Sequence, residues 1–129
     1  MKAIKCYSGY TCSSVASGSY TITPPCDTPA ASPGAGSYVG TQNVSFTGST
    51  CTGAGSFACV TTDGSTPTGS SSGCTNGTSV SYGNTFAVST SETVKAIMEQ
   101  SGYASGSVAS FAYTITSAAM IRRRGVVVR

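Results

Sequence analysis

The chain contains no histidine and no tryptophan, and only 9% of its residues are charged. Without histidine, imidazole-based triads and the commonest zinc shells are excluded. Its four acids, Asp27, Asp63, Glu92 and Glu99, are scattered, whereas the usual glycoside hydrolysis needs two carboxyls held close together. No G-x-S-x-G motif occurs, and the glycine-rich stretches precede strands, which argues against a nucleophile elbow or a phosphate-cradling loop. No window carries apolar residues at helical spacing over several turns, so almost no helix is expected. No stretch is apolar for long enough to span a membrane. These absences point away from an enzyme, a bound metal and a cofactor.

The net charge of +3 is concentrated at one end, with Arg122, Arg123, Arg124 and Arg129 in the last eight residues. The remaining body sets three lysines against the four acids and is close to neutral, which makes a poor nucleic-acid surface. The six cysteines, with no C-x-x-C pair, fit disulfides better than zinc and imply an oxidising, extracellular or cell-surface setting. The opening MKAIKCYSGY lacks the apolar run of a secretion signal, so either a removed leader or a longer parent protein is expected.

What the chain does have is serine, threonine, glycine and tyrosine, the residues of short strands and many turns. Alternation marks strands at 42–46, 56–62, 84–89, 93–98 and 107–115. Val94, Ala96 and Met98 face inward, and Ala109, Phe111, Tyr113 and Ile115 share one side. Asp63-Gly64 is a tight-turn signal after a β-rich run. The Ser/Gly/Thr-rich segment 63–79 reads as a long connection with no clear strand. The expected fold is an all-β, immunoglobulin-like antiparallel β-sandwich with one wet face per sheet.

KAIKCYSGYTCSSVASGSYTIT at 2–23 aligns without a gap to KAIMEQSGYASGSVASFAYTIT at 95–116, with 14 of 22 positions identical. The later copy reads as the closing hairpin of the domain. Residues 1–23 then read as the closing hairpin of a truncated preceding repeat, 24–116 as a complete module and 117–129 as a basic tail. TITPPCDTP at 21–29 is a linker stiffened by adjacent prolines. An isolated hairpin is marginal in water, so something is expected to hold it. Ile4, Val15, Tyr20 and Ile22 are its assembly candidates. Tyr20, like Tyr113, alternates with apolar residues and is expected in a core.

TTDGSTPT at 61–68, followed by ETVKAI, SGY, SVAS and YTIT, resembles the chitobiase/β-hexosaminidase C-terminal-like domain, also described as fibronectin-III-associated. The likeness covers about 24–116. It implies a non-catalytic immunoglobulin-like accessory module, often in tandem, in secreted or surface proteins. The family often has aromatics before TTDG and in the long connection; here Cys59 and Cys74 fall at such positions, which suggests that they bond. Cys6 and Cys12 flank a hairpin turn, and Cys26 and Cys51 sit at neighbouring strand ends. Six cysteines still allow 15 pairings.

The expected function is a structural or spacer unit of an extracellular tandem-repeat protein, partnered by other copies of itself or neighbouring repeats. In its sharper form the N-terminal hairpin joins units head to tail into a filament. The alternative is an accessory carbohydrate-binding module, with Tyr38, Tyr82 and Tyr103 as its polysaccharide-facing aromatics. The turn residues Asp63 and Gly64 are expected to be structural. Asn43-Val44-Ser45 and Asn76-Gly77-Thr78 fit the glycosylation sequon. GVVVR at 125–129 reads either as an edge-seeking strand or as read-through.

Overall fold

Val44 and Phe46 alternate with Asn43, Ser45 and Thr47, so one side of this segment must leave water, and its backbone can follow only if a ladder satisfies it. The computed structural model, which describes residues 1–118, is built from short strands, of which this is one. In chain order they are β1 (Lys2–Ala3), β2 (Ala16–Ser17), β3 (Ala30–Ser32), β4 (Gly36–Val39), β5 (Gln42–Thr47) and β6 (Phe57–Thr61). There follow β7 (Thr68–Ser70), β8 (Gly73–Asn76), β9 (Thr78–Ser81), β10 (Thr85–Val88), β11 (Glu92–Glu99) and β12 (Ala109–Thr116).

An antiparallel sheet in the order β10–β5–β3 faces a second sheet in the order β4–β12–β11–β6–β9. The second is antiparallel except where β4 runs parallel to β12, with Tyr113 opposite Gly36 and Thr116 opposite Val39. Val44, Phe46 and Val88 of the first sheet meet Val60, Val80, Val94, Ala96, Met98 and Tyr113 of the second in one buried cluster. Phe46 and Phe111 stack across it with ring centroids 6.2 Å apart. The fold is therefore an all-β sandwich. β11 is its spine: β12 flanks one edge, β6 the other, and Val94, Ala96 and Met98 are all fully buried.

Two expectations need correction. Segment 63–79 is not a structureless connection; it forms β7, β8 and the first half of β9. Its residues are small and polar, so alternation does not reveal them, and their order comes from partners instead. β9 pairs with β6, and the β7–β8 ribbon is bonded to β6 through Cys59–Cys74. That ribbon also covers the outer face of the second sheet, which is consequently not wet throughout. Beneath it Cys59, Ile97 and Glu99 are buried. The approach is so close that a Cβ on Gly69 would lie 2.7 Å from Cys59 Sγ. Glu99, one of the four scattered acids, is 1% exposed, and its Oε2 accepts a hydrogen bond from the Ser105 hydroxyl at 3.0 Å.

The six cysteines form Cys6–Cys12, Cys26–Cys51 and Cys59–Cys74. Opening Cys59–Cys74, which spans 15 residues, by Cys59→Ala with Cys74→Ala should cost about 3 kcal/mol. Cys6→Ala with Cys12→Ala should leave the main unfolding transition in place, because residues 1–25 are exposed throughout. Urea denaturation of both variants checks this; equal losses would mean that hairpin and module unfold as one.

Candidate functional site

The surface that most needs an explanation is the N-terminal hairpin. Met1, Ile4, Tyr7, Tyr10, Val15, Tyr20 and Ile22 are all exposed there, although soluble surfaces rarely gather so many large apolar groups. Met1, Gly18, Tyr20 and Ile22 help line an open groove of about 740 Å³ on one side of it. Tyr7 and Tyr10 stack at the tip with centroids 5.8 Å apart.

The hairpin has the same shape as β11–β12. Lys2 lies opposite Ser17 and Ala3 opposite Ala16; in the complete module Lys95 lies opposite Ser110 and Ala96 opposite Ala109. Tyr10 N–H donates to Tyr7 C=O at 3.1 Å, as Tyr103 N–H does to Gln100 C=O at 3.2 Å. Ser13 N–H donates to Lys5 C=O at 2.9 Å, as Gly106 N–H does to Met98 C=O at 3.0 Å. Gly9 turns at φ 85° and Gly102 at φ 86°, left-handed values that glycine adopts without strain. The two hairpins differ in what covers them. Tyr113 is 2% exposed and its counterpart Tyr20 is 74% exposed; Ile97 is 4% and Ile4 is 54%. Tyr20 is thus not in a core as expected, because no second sheet lies over it. A local staple replaces that support: Cys6–Cys12 stands where the module has the Ser105–Glu99 hydrogen bond.

The join to the module is also defined. Cys26 N–H donates to Ala104 C=O at 2.9 Å and Ala104 N–H to Pro24 C=O at 3.0 Å, so the linker is stitched to the β11–β12 tip. Asp27 ties it to the 48–50 loop. Its carboxylate accepts the Ser49 N–H, the Ser49 hydroxyl at 2.9 Å, the Thr50 N–H at 3.2 Å and the Thr50 hydroxyl at 2.8 Å. The Ser49 N–H does most to hold this carboxyl well below the usual range; burial opposes it and is outweighed. The tip lies at one end of the sandwich, whereas β12 ends at the other, where Gly40 N–H donates to Thr116 C=O. The 8 residues of β12 between them span about 26 Å at ~3.3 Å per residue. Thr23, the counterpart of Thr116, is bonded directly to Pro24. The hairpin therefore cannot fold back into its own module's slot, which β11–β12 already fills.

The tyrosines named for sugar contact do not share a face. Tyr38 stacks on Tyr113 at 6.1 Å and its hydroxyl donates to Gly34 C=O, while Tyr103 packs on the core. Tyr82 borders an open groove, of about 300 Å³, with Gly53, Ser56, Phe57 and Ser79. Asp63 and Gly64 form a closed turn: Asp63 Oδ1 accepts the Ser65 N–H at 3.0 Å, and Gly64 C=O accepts Lys95 Nζ at 2.6 Å. Hydrogen bonding from the Ser65 hydroxyl lowers the Asp63 pKa. Of the two sequons, Asn76 uses its amide to hold Thr66 C=O at 2.8 Å. Among the described residues there is no cluster of three metal-ligating side chains and no helix long and apolar enough to cross a membrane. The arginine cluster and GVVVR lie outside the described residues.

Residues 60–113 match the model of a family described as Fn3 associated. The matched stretch runs from β6 into β12 and supports a fibronectin-III-associated domain there. No curated protein and no solved structure matches the chain.

The Asp27 clamp gives a pH signature. A carboxyl depressed in the folded state stabilises it fully above the ordinary carboxylate pKa of about 4, and that contribution is lost as pH falls through the lower folded value. Asp27→Asn should lower the urea midpoint at neutral pH and flatten its decline in acid. An unchanged acid slope would remove the clamp from the account.

Proposed function

We propose that the chain is a non-catalytic structural unit of an extracellular tandem-repeat assembly, joined to its neighbour through the hairpin 2–23. One observation carries this reading: the hairpin repeats the turn and register of β11–β12 while the counterparts of side chains buried there, Ile4 on the outer face and Tyr20 on the core face, lie open. A surface of this kind fits the interior of a sandwich that lacks its closing hairpin. Burying Ile4 as fully as its counterpart Ile97 would contribute about 1.5–3 kcal/mol before the cost of docking is met, Tyr20 and Ile22 would add to it, and Val15 would add little because its counterpart Val108 stays exposed. The end-to-end path from Thr23 to Pro24 then stacks units lengthwise, which suits a rod or filament. Three disulfides fit an oxidising, extracellular setting. Within the fibronectin-III-associated group, TTDGSTPT favours kinship with the chitobiase C-terminal-like modules. A carbohydrate-binding role has less to rest on, with Tyr38 and Tyr103 packed inward.

The test is to build the array. A copy of residues 24–94 is joined ahead of Lys2, so that its Val94 replaces Met1, and the hairpin is matched to β11–β12 at its core positions. Small-angle scattering should show a rod of roughly doubled length. A folded module trailing a disordered upstream copy would overturn the reading.

A further inference from the structure

The hairpin departs from β11–β12 at three positions where a difference in packing matters, and each departure conflicts with this chain's own sandwich. Lys5 stands for Met98, which is fully buried. Gly18 stands for Phe111, the ring that stacks on Phe46. Ser13 stands for Gly106, where a Cβ would lie 2.7 Å from the Asp27 carbonyl oxygen and 3.3 Å from that of Cys26. Those two oxygens belong to the linker backbone, which is itself pinned at Ala104 and at Ser49 and Thr50, so it cannot yield as a side-chain tip would. Docked in this slot, the hairpin would bury an ammonium, leave a void beside Phe46 and push the linker away.

We infer that the partner of the hairpin is the body of a different sandwich of the same repeat type, and that Lys5, Ser13 and Gly18 discriminate against copies of the chain's own body. The inference rests on the proposed function. The backbone face of the hairpin, shared with β11–β12, supplies affinity for any such slot. The three side chains supply the choice between slots, and they do so mainly by excluding the wrong one. The chemistry required of the acceptor is specific: a polar or acidic group near Lys5, a side chain larger than Phe46 over Gly18, and a linker set further from position 13. Exclusion of this kind keeps neighbouring copies from exchanging closing hairpins and holds repeats in their order along an array.

The tandem chain described above tests this in two forms, one with the natural hairpin and one with Lys5→Met, Ser13→Gly and Gly18→Phe. Hydrogen exchange is read at the amides of the hairpin, with those of β11–β12 in the same molecule as the internal control for folding. The triple variant should protect its hairpin about 100-fold over the single chain, and the natural tandem should leave it exchanging as in the single chain. Equal protection in both tandems would overturn the discrimination while sparing the proposed function. Protection in neither would overturn both. Single substitutions in the natural tandem then rank the positions, Ser13→Gly being expected to recover the most, because the clash at that position is with backbone.

Discussion

Everything in the sandwich hangs on the β11–β12 hairpin. β11 is flanked on both edges and covered on both faces, and β12 carries β4 along its far side. The tip of the hairpin holds the linker, its inner side chains meet the opposite sheet, and its outer ones lie under the β7–β8 ribbon. An antiparallel ladder at this position supplies three kinds of burial at once. Without it β6, β9 and β4 would share no sheet, and Val44, Phe46 and Val88 would face water.

Against that background the N-terminal hairpin separates what is local from what is not. Turn, register and glycine conformation are reproduced in a segment with no sandwich around it, so they follow from nearby residues alone. Burial does not. The same tyrosine in the same alternation is enclosed at 113 and open at 20, because enclosure depends on a second sheet. The Cys6–Cys12 bond stands in for part of that missing support by closing the turn covalently. It preserves the shape of an element that would otherwise be marginal, and a preformed element loses less entropy on docking.

The module itself compensates for a core poor in large aliphatic side chains. Val, Ala and Cys fill much of the interior, and polar ties brace the ends: Asp27 on the 48–50 loop, Asp63 on its own turn, Asn76 on Thr66. Asp27 and Asp63 thus have structural work in a loop and a turn rather than a shared site.

By itself the sequence determined the elements whose cause is periodic or local. Alternation at 42–46 and 93–98 implies the strands and their inner faces, Asp63-Gly64 implies its turn, and the repeat implies a hairpin at 2–23 with the turn and register of β11–β12. These follow from side-chain period and turn chemistry, which neighbouring residues carry. Only the tertiary structure decided the strands within 63–79, the parallel docking of β4, the burial of Glu99 and the stitch between Pro24 and Ala104. Apart from the local pairing of β7 with β8, these depend on partners outside the segment itself, and small polar residues leave no periodic trace of such a partner. The meaning of Lys5, Ser13 and Gly18 belongs to the same class. In the sequence they are three of the eight mismatches in the repeat; the space around Met98, Gly106 and Phe111 is what the proposed discrimination rests on.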